Sequence, residues 1–138
     1  MTYCSYCGQY HHAGFVSTRL MGTDGVSLEA AKWADVFENR RFSCYYFAGR
    51  LDRPPERSYS CPEADFRHPA IVEINESVYG VHERGRYVTE KIQSVKDRIK
   101  DGLYAFIDRF DLDLLVIENA LAIPMNIPLG LALTELLC

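Results

Sequence analysis

Apolar positions follow two periods along this chain, and the switches between them mark its elements. Ala13 to Ser17 is a short, mainly apolar run and predicts a first strand. Val26, Ala30, Trp33 and Phe37 recur at intervals of 4, 3 and 4, which is one face of a helix that should end near Asn39. Phe42 to Phe47 is aromatic and strand-like, closed by Ala48-Gly49. From Arg50 to Pro62 the residues are polar and proline-bearing and predict a loop, with a short extended edge piece around Tyr59 to Phe66. Pro69 suits a first helical position, so Ala70 to Tyr79 is expected to form a short helix ending at Gly80, with Val81 to Arg86 as a polar connection. Val88, Ile92, Val95, Ile99, Leu103, Phe106 and Phe110 mark a long amphipathic helix. Asp111 to Ile117 is a buried strand of the kind found in parallel sheets. Asn126 is placed to cap a final apolar helix with Pro128 in its first turn, running to the last residue.

This alternation predicts an α/β fold, a partial Rossmann-like, doubly wound parallel sheet with right-handed crossovers. Residues 13–138 form the domain, preceded by an irregular extension over residues 1–12. In the usual doubly wound order the second strand flanks the first on one side and the late strand on the other. The first strand is then the switch point, and Gly22-Thr23-Asp24-Gly25 should share a crevice with Glu118-Asn119. That inference comes from topology rules. Asp24 or Thr23 is placed to cap the first helix, whose start is an anion-friendly position.

The 138 residues suffice for one domain with a real core, and 48% hydrophobic with 25% charged residues is ordinary for a soluble protein. A net charge of −4 with dispersed basic residues gives no electrostatic case for nucleic acid. The 5 cysteines are an odd number and follow a polar N-terminus without an apolar leader. A disulfide framework is therefore not expected, and a cytoplasmic location is. The apolar stretch from Leu112 to Leu137 is interrupted by Glu118, Asn119, Pro124, Asn126 and Pro128, so no transmembrane segment is expected.

Candidate chemistry is sparse. Cys4-x-x-Cys7 followed by His11 has zinc-ligand types, but a closed site needs four ligands and no second pair follows. No metal site is expected beyond that possibility. There is no G-x-G-x-x-G after the first strand and no phosphate-binding G-x-x-x-x-G-K-[ST] run. Two readings stay open for Gly22 to Gly25, a capping turn or a ligand loop, and two for Glu118-Asn119, a polar strand end or a binding group. Trp33 is expected in the core, Cys44 as a small core residue, His68 and His82 as solvated, and Asp111 with Asp113 as solvated strand ends.

Several runs together resemble the N-terminal part of a glycosyltransferase of the two-Rossmann-domain (GT-B) type. The narrower likeness is to the group 1 retaining transferases that include sucrose- and mannosyl-type synthases. The residues that carry it are Phe15-Val16-Ser17-Thr18-Arg19, Gly22 to Glu29, Lys32-Trp33-Ala34, Tyr46-Phe47-Ala48-Gly49 with Leu51 to Glu56, and Glu118 to Asn126. The resemblance implies that Gly22, Thr23, Asp24 and Gly25 form the loop at the cleft, with Arg19 offsetting phosphate charge. It also implies that Glu118 and Asn119 bond acceptor hydroxyls. No tightly bound cofactor is implied; a nucleotide-sugar is the donor substrate and a hydroxyl compound the acceptor. Two departures matter. Arg41-Phe42 stand where the family usually has Gly-His, which weakens the helix stop, although Asn39 can adopt the left-handed conformation. The sequence ends at Cys138, before the remainder of the acceptor domain and the donor domain. The resemblance therefore implies an incomplete acceptor-side domain, inactive alone, with a separately encoded C-terminal half as a possible partner. The rival expectations are a non-catalytic partner module with an exposed sheet edge, and a small zinc-binding protein.

Overall fold

The computed structural model describes residues 11–138. Cys4 and Cys7 lie outside the described residues. Strand β1 (His11–Val16) is the centre of a 4-stranded sheet in the order β5-β3-β1-β6, with β3 at Phe42–Ala48, β5 at Ser58–Ser60 and β6 at Leu114–Ile117. All three pairings are parallel, and Phe15 stands level with Tyr46 on one side and Val116 on the other. Strands are added on both sides of β1, an order consistent with the expected doubly wound sheet. A second pairing, β2 (Arg19–Leu20) with β4 (Arg50–Leu51), sits just past the ends of β1 and β3.

Successive residues of β1 point to opposite faces and define two cores. Phe15 joins Ala30, Ala34, Cys44 and Tyr46 beneath the first helix, α1 (Gly25–Asn39). Val16 joins Phe47 and the apolar faces of α2 (Pro69–Val78), α3 (Arg86–Phe110) and α4 (Ile127–Leu137). The buried residues of α3 include Ile92, Val95, Ile99, Leu103 and Phe106, the stripe legible in its periodicity. Burial of about 1.5–3 kcal/mol per large apolar side chain makes this stripe the main anchor of the three-helix layer.

Several elements depart from the sequence expectations. The first strand takes in His11 and His12, which pattern alone leaves in the preceding extension. The expected loop after Arg50 contains two strands and a 3-10 turn (Pro55–Arg57), and the edge strand is Ser58–Ser60, followed by a second 3-10 turn at Pro62–Ala64. Trp33 is 47% exposed and is not a core residue. The face of α1 that meets the sheet carries Ser27, Ala30 and Ala34, whose small size lets the helix approach closely. Trp33 and Phe37 flank that contact, with Phe37 edge-on to Phe15 at 6.0 Å. The left-handed residue after α1 is Arg41 (φ 71°), not Asn39. The last strand begins at Leu114, because Asp111 adopts the left-handed conformation (φ 50°) that ends α3. His68 is half-buried: its Nδ1 accepts from the Ala70 N–H and caps α2.

Asn126 ties the start of α4 to the second 3-10 turn. Its Oδ1 accepts from Leu129 N–H at 3.0 Å, while Nδ2 donates to the Glu63 and Ala64 carbonyls at 2.9 Å each. Asn126→Ala removes a helix cap and two donors to nearly buried carbonyls, and is expected to cost about 2 kcal/mol in urea unfolding. Asn126→Asp keeps the cap oxygen but turns a carboxylate oxygen toward the two carbonyls, so its loss is expected to be at least as large.

Candidate functional site

The chain leaves β1 through Ser17 and Thr18 toward α1 on one face of the sheet, and leaves β6 through Glu118 toward α4 on the other. A crevice opens between them, as expected at a switch point. It holds a pocket of about 300 Å³. Its polar lining is Ser17, Thr18, Arg19, Asp24, Glu118 and Asn119; its apolar lining is Val26, Phe66, Ala120, Ile123 and Met125, with Gly25 at the helix start.

Backbone bonds fix both lips to the sheet. Ser17 N–H donates to Phe47 O at 3.1 Å, Gly49 N–H to Thr18 O at 3.0 Å, and Glu118 N–H to Val16 O at 2.9 Å. Asp24 caps α1 through Oδ1, which accepts from Ser27 N–H at 2.8 Å, and Leu28 N–H bonds to Asp24 O. The first-turn amides of Gly25 and Val26 have no intrahelical acceptor, as at any helix start. The other carboxylate oxygen of Asp24 lies 3.5 Å from Arg19 Nε, and both atoms are buried without a hydrogen bond among the described residues. The single guanidinium in the pocket is thus already offset by a carboxylate.

Glu118 carries the second carboxylate. Burial raises its pKa above the ordinary carboxylate value, and the charge of Glu29 raises it further. The folded state therefore binds this proton more tightly than the unfolded chain does. Its contribution is unfavourable at neutral pH and eases as the pH falls. Glu118→Gln is expected to raise the urea midpoint at pH 7, with the gain over the parent vanishing in acid.

Of the residues read from sequence as a site, Arg19, Asp24, Gly25, Glu118 and Asn119 line this one pocket, and Gly22 and Thr23 are not in the lining. The Gly22 amide donates to Asp52 Oδ2 at 2.8 Å, with Gly22 in a left-handed conformation (φ 74°). That amide serves the turn itself. Met21 N–H donates to the buried Ser27 hydroxyl, and Arg53 donates to Ser27 O at 2.8 Å while lying over Tyr46. Asp52 and Arg53 hold the turn from β4, a role with no local sequence signal. Phe66 also had no signal, because it reaches the pocket through a fold-back of the chain. Ser17 and Thr18 were legible as the end of β1.

The two buried cysteines among the described residues are poor nucleophiles. Burial pushes the Cys44 thiol up to about 12 and the Cys61 thiol up to about 11. No cluster of three or more His, Cys, Asp or Glu side chains able to hold a metal occurs among the described residues. His11 lies at the opposite end of β1 from the pocket, its Nδ1 3.8 Å from Asp113 Oδ2. No described helix is long and apolar enough to cross a membrane. No protein-family profile, curated protein or solved structure matches this chain.

Proposed function

We propose that this unit is the acceptor-side wall of a retaining glycosyltransferase that uses a nucleotide-sugar donor. One observation carries the reading: at the switch point of a doubly wound sheet, a helix start, a guanidinium and a strand-end Glu-Asn pair share one pocket. In the intact enzyme a sugar passes from a nucleoside diphosphate to a hydroxyl. Glu118 and Asn119 accept from and donate to that hydroxyl. The first-turn amides of α1, with Arg19, face the leaving diphosphate, whose charge they offset. Such a transfer needs a second wall to orient the donor and exclude water. The chain by itself is therefore expected to turn over no nucleotide-sugar, and to require no tightly held cofactor.

The test is an amide-resolved NMR titration of the ¹⁵N-labelled chain with inorganic pyrophosphate, and separately with hydroxyl compounds. Pyrophosphate is expected to move Gly25 and Val26, with the shifts lost in Arg19→Ala. Product release from a nucleotide-sugar by the chain alone would overturn the incomplete-wall reading, and no response of the pocket to either probe would overturn the transferase reading. A second reading, a non-catalytic partner module, is favoured by the outer edge of β6, which has no strand partner among the described residues. A sample that sediments as monomer at all concentrations, alone and with cell extract, argues against it.

A further inference from the structure

The segment that follows β6 is pinned along its length. Ala122 and Ile123 N–H donate to Asn119 O at 3.2 and 2.9 Å, Asn75 Nδ2 donates to Met125 O at 3.1 Å, and the Tyr79 hydroxyl donates to Pro124 O. Its large apolar side chains nevertheless stay in solvent: Leu121 is 51%, Ile123 45% and Met125 37% exposed. A frayed loop exposes side chains because nothing holds it. This one is held by α2 and by its own turn in a conformation that leaves them uncovered.

Ile123 and Met125 are also pocket lining, next to the polar end formed by Glu118 and Asn119. The pocket is thus two-ended. The one guanidinium of the lining, Arg19, lies with Asp24 beside the helix start that faces the diphosphate, and no second cation among the described residues lines the pocket beside Glu118, so an anionic acceptor body gains nothing there. Along the apolar wall, a free sugar would bury ring hydroxyls with no hydrogen-bond partner. An alkyl, isoprenoid or aryl body loses nothing by being buried against that wall and gains by leaving water.

Resting on the transferase reading above, we infer that the acceptor is an apolar alcohol, with its hydroxyl at Glu118 and Asn119 and its hydrocarbon body along Ile123 and Met125. The 300 Å³ pocket takes the head of such a molecule, and the partly exposed Ile123 and Met125 leave its apolar wall open to solvent for a longer one.

The experiment titrates the labelled chain with butanol, hexanol and octanol, with methyl glucoside, and with inorganic pyrophosphate. Affinity is expected to rise about fourfold per added methylene, with shifts at Asn119, Ala120, Ile123 and Met125. Ile123→Ser, at an exposed position that the fold does not need, is expected to weaken octanol about tenfold. Unchanged amide dispersion in that variant shows that it has folded. Methyl glucoside binding more tightly than octanol, or no dependence on chain length, overturns the inference and leaves the transferase reading standing. So does a response to pyrophosphate with none to any alcohol. Silence toward every probe overturns both. Vesicles of phosphatidylcholine supply the last arm: binding to them without any added alcohol would make this apolar wall a membrane-docking surface and overturn the acceptor assignment. Binding only when the vesicles carry a long-chain alcohol supports it.

Discussion

Phe106→Ala is expected to lower the unfolding free energy by about 4 kcal/mol, the largest effect of any single truncation in this chain. The ring is fully buried on α3 and lies within aromatic contact of three others, Phe47 at 5.5 Å, Phe110 at 5.6 Å and Tyr59 at 6.3 Å. It also fills the space that Gly14 leaves at the middle of β1, where a Cβ would stand 2.8 Å from its edge. Truncation therefore empties the junction between the long helix and the central strand, and neither backbone is free to close the gap. A domain of this size has about 5–15 kcal/mol in all, so the variant should lose its cooperative urea transition near 37 °C or show a sharply lowered midpoint. Phe106→Leu keeps most of the volume and is expected to cost about 1.5 kcal/mol. A loss below about 1 kcal/mol for the alanine variant would mean that α3 does not dock on β1 through this ring.

Gly49→Ala should follow closely, at about 3 kcal/mol, although it adds only one methyl group. The Cβ would stand 2.1 Å from Asp65 N and 2.5 Å from Asp65 Cα. These are backbone atoms, and rotamer changes cannot relieve the clash. Asp65 is itself held, with Arg50 Nε 2.7 Å from its nearly buried carboxylate. Gly49 N–H also supports the Thr18 carbonyl, and Phe66 follows Asp65 directly, so both residues of the pocket lining are displaced together. The variant is thus expected to lose stability and the pyrophosphate response in parallel. Thermal melting followed by circular dichroism measures the first, and the NMR titration the second. A melting temperature within about 2 °C of the parent would refute the close packing of this turn on residue 65.

The two predictions rest on features of unequal visibility in the sequence. Phe106 was legible: it sits on a stripe of seven apolar residues at helical spacing, and length and period together leave one interpretation. The parallel order around β1 was legible too, since alternating strands and helices admit few topologies. Gly49 was legible only as the end of a strand, because the residue it must clear lies 16 positions away in a turn without periodicity. Strands as short as Arg50–Leu51 and Ser58–Ser60 carry no pattern of their own; their partners β2 and β3 define them. Trp33 misled for a different reason. The spacing of 26, 30, 33 and 37 marks an apolar face, but the sheet selects the neighbouring row of small residues, and size decided against hydrophobicity. In the pocket, Asp24, Glu118 and Asn119 followed from topology, whereas Phe66 and the Asp52–Arg53 clamp depend on contacts that no local window contains.

The position of β6 also sets the order in which the molecule can be assembled. Its first contact with β1 joins His12 to Asp113, 101 residues apart. Helix α1 and strand β3 can form on β1 from nearby chain, but the fourth strand closes one long loop and so comes at a higher entropic cost. During synthesis the first half of the sheet is exposed to the ribosome's surroundings with one side of its central strand unpaired. The wall of the pocket that carries Glu118 arrives only after the chain has been made through β6.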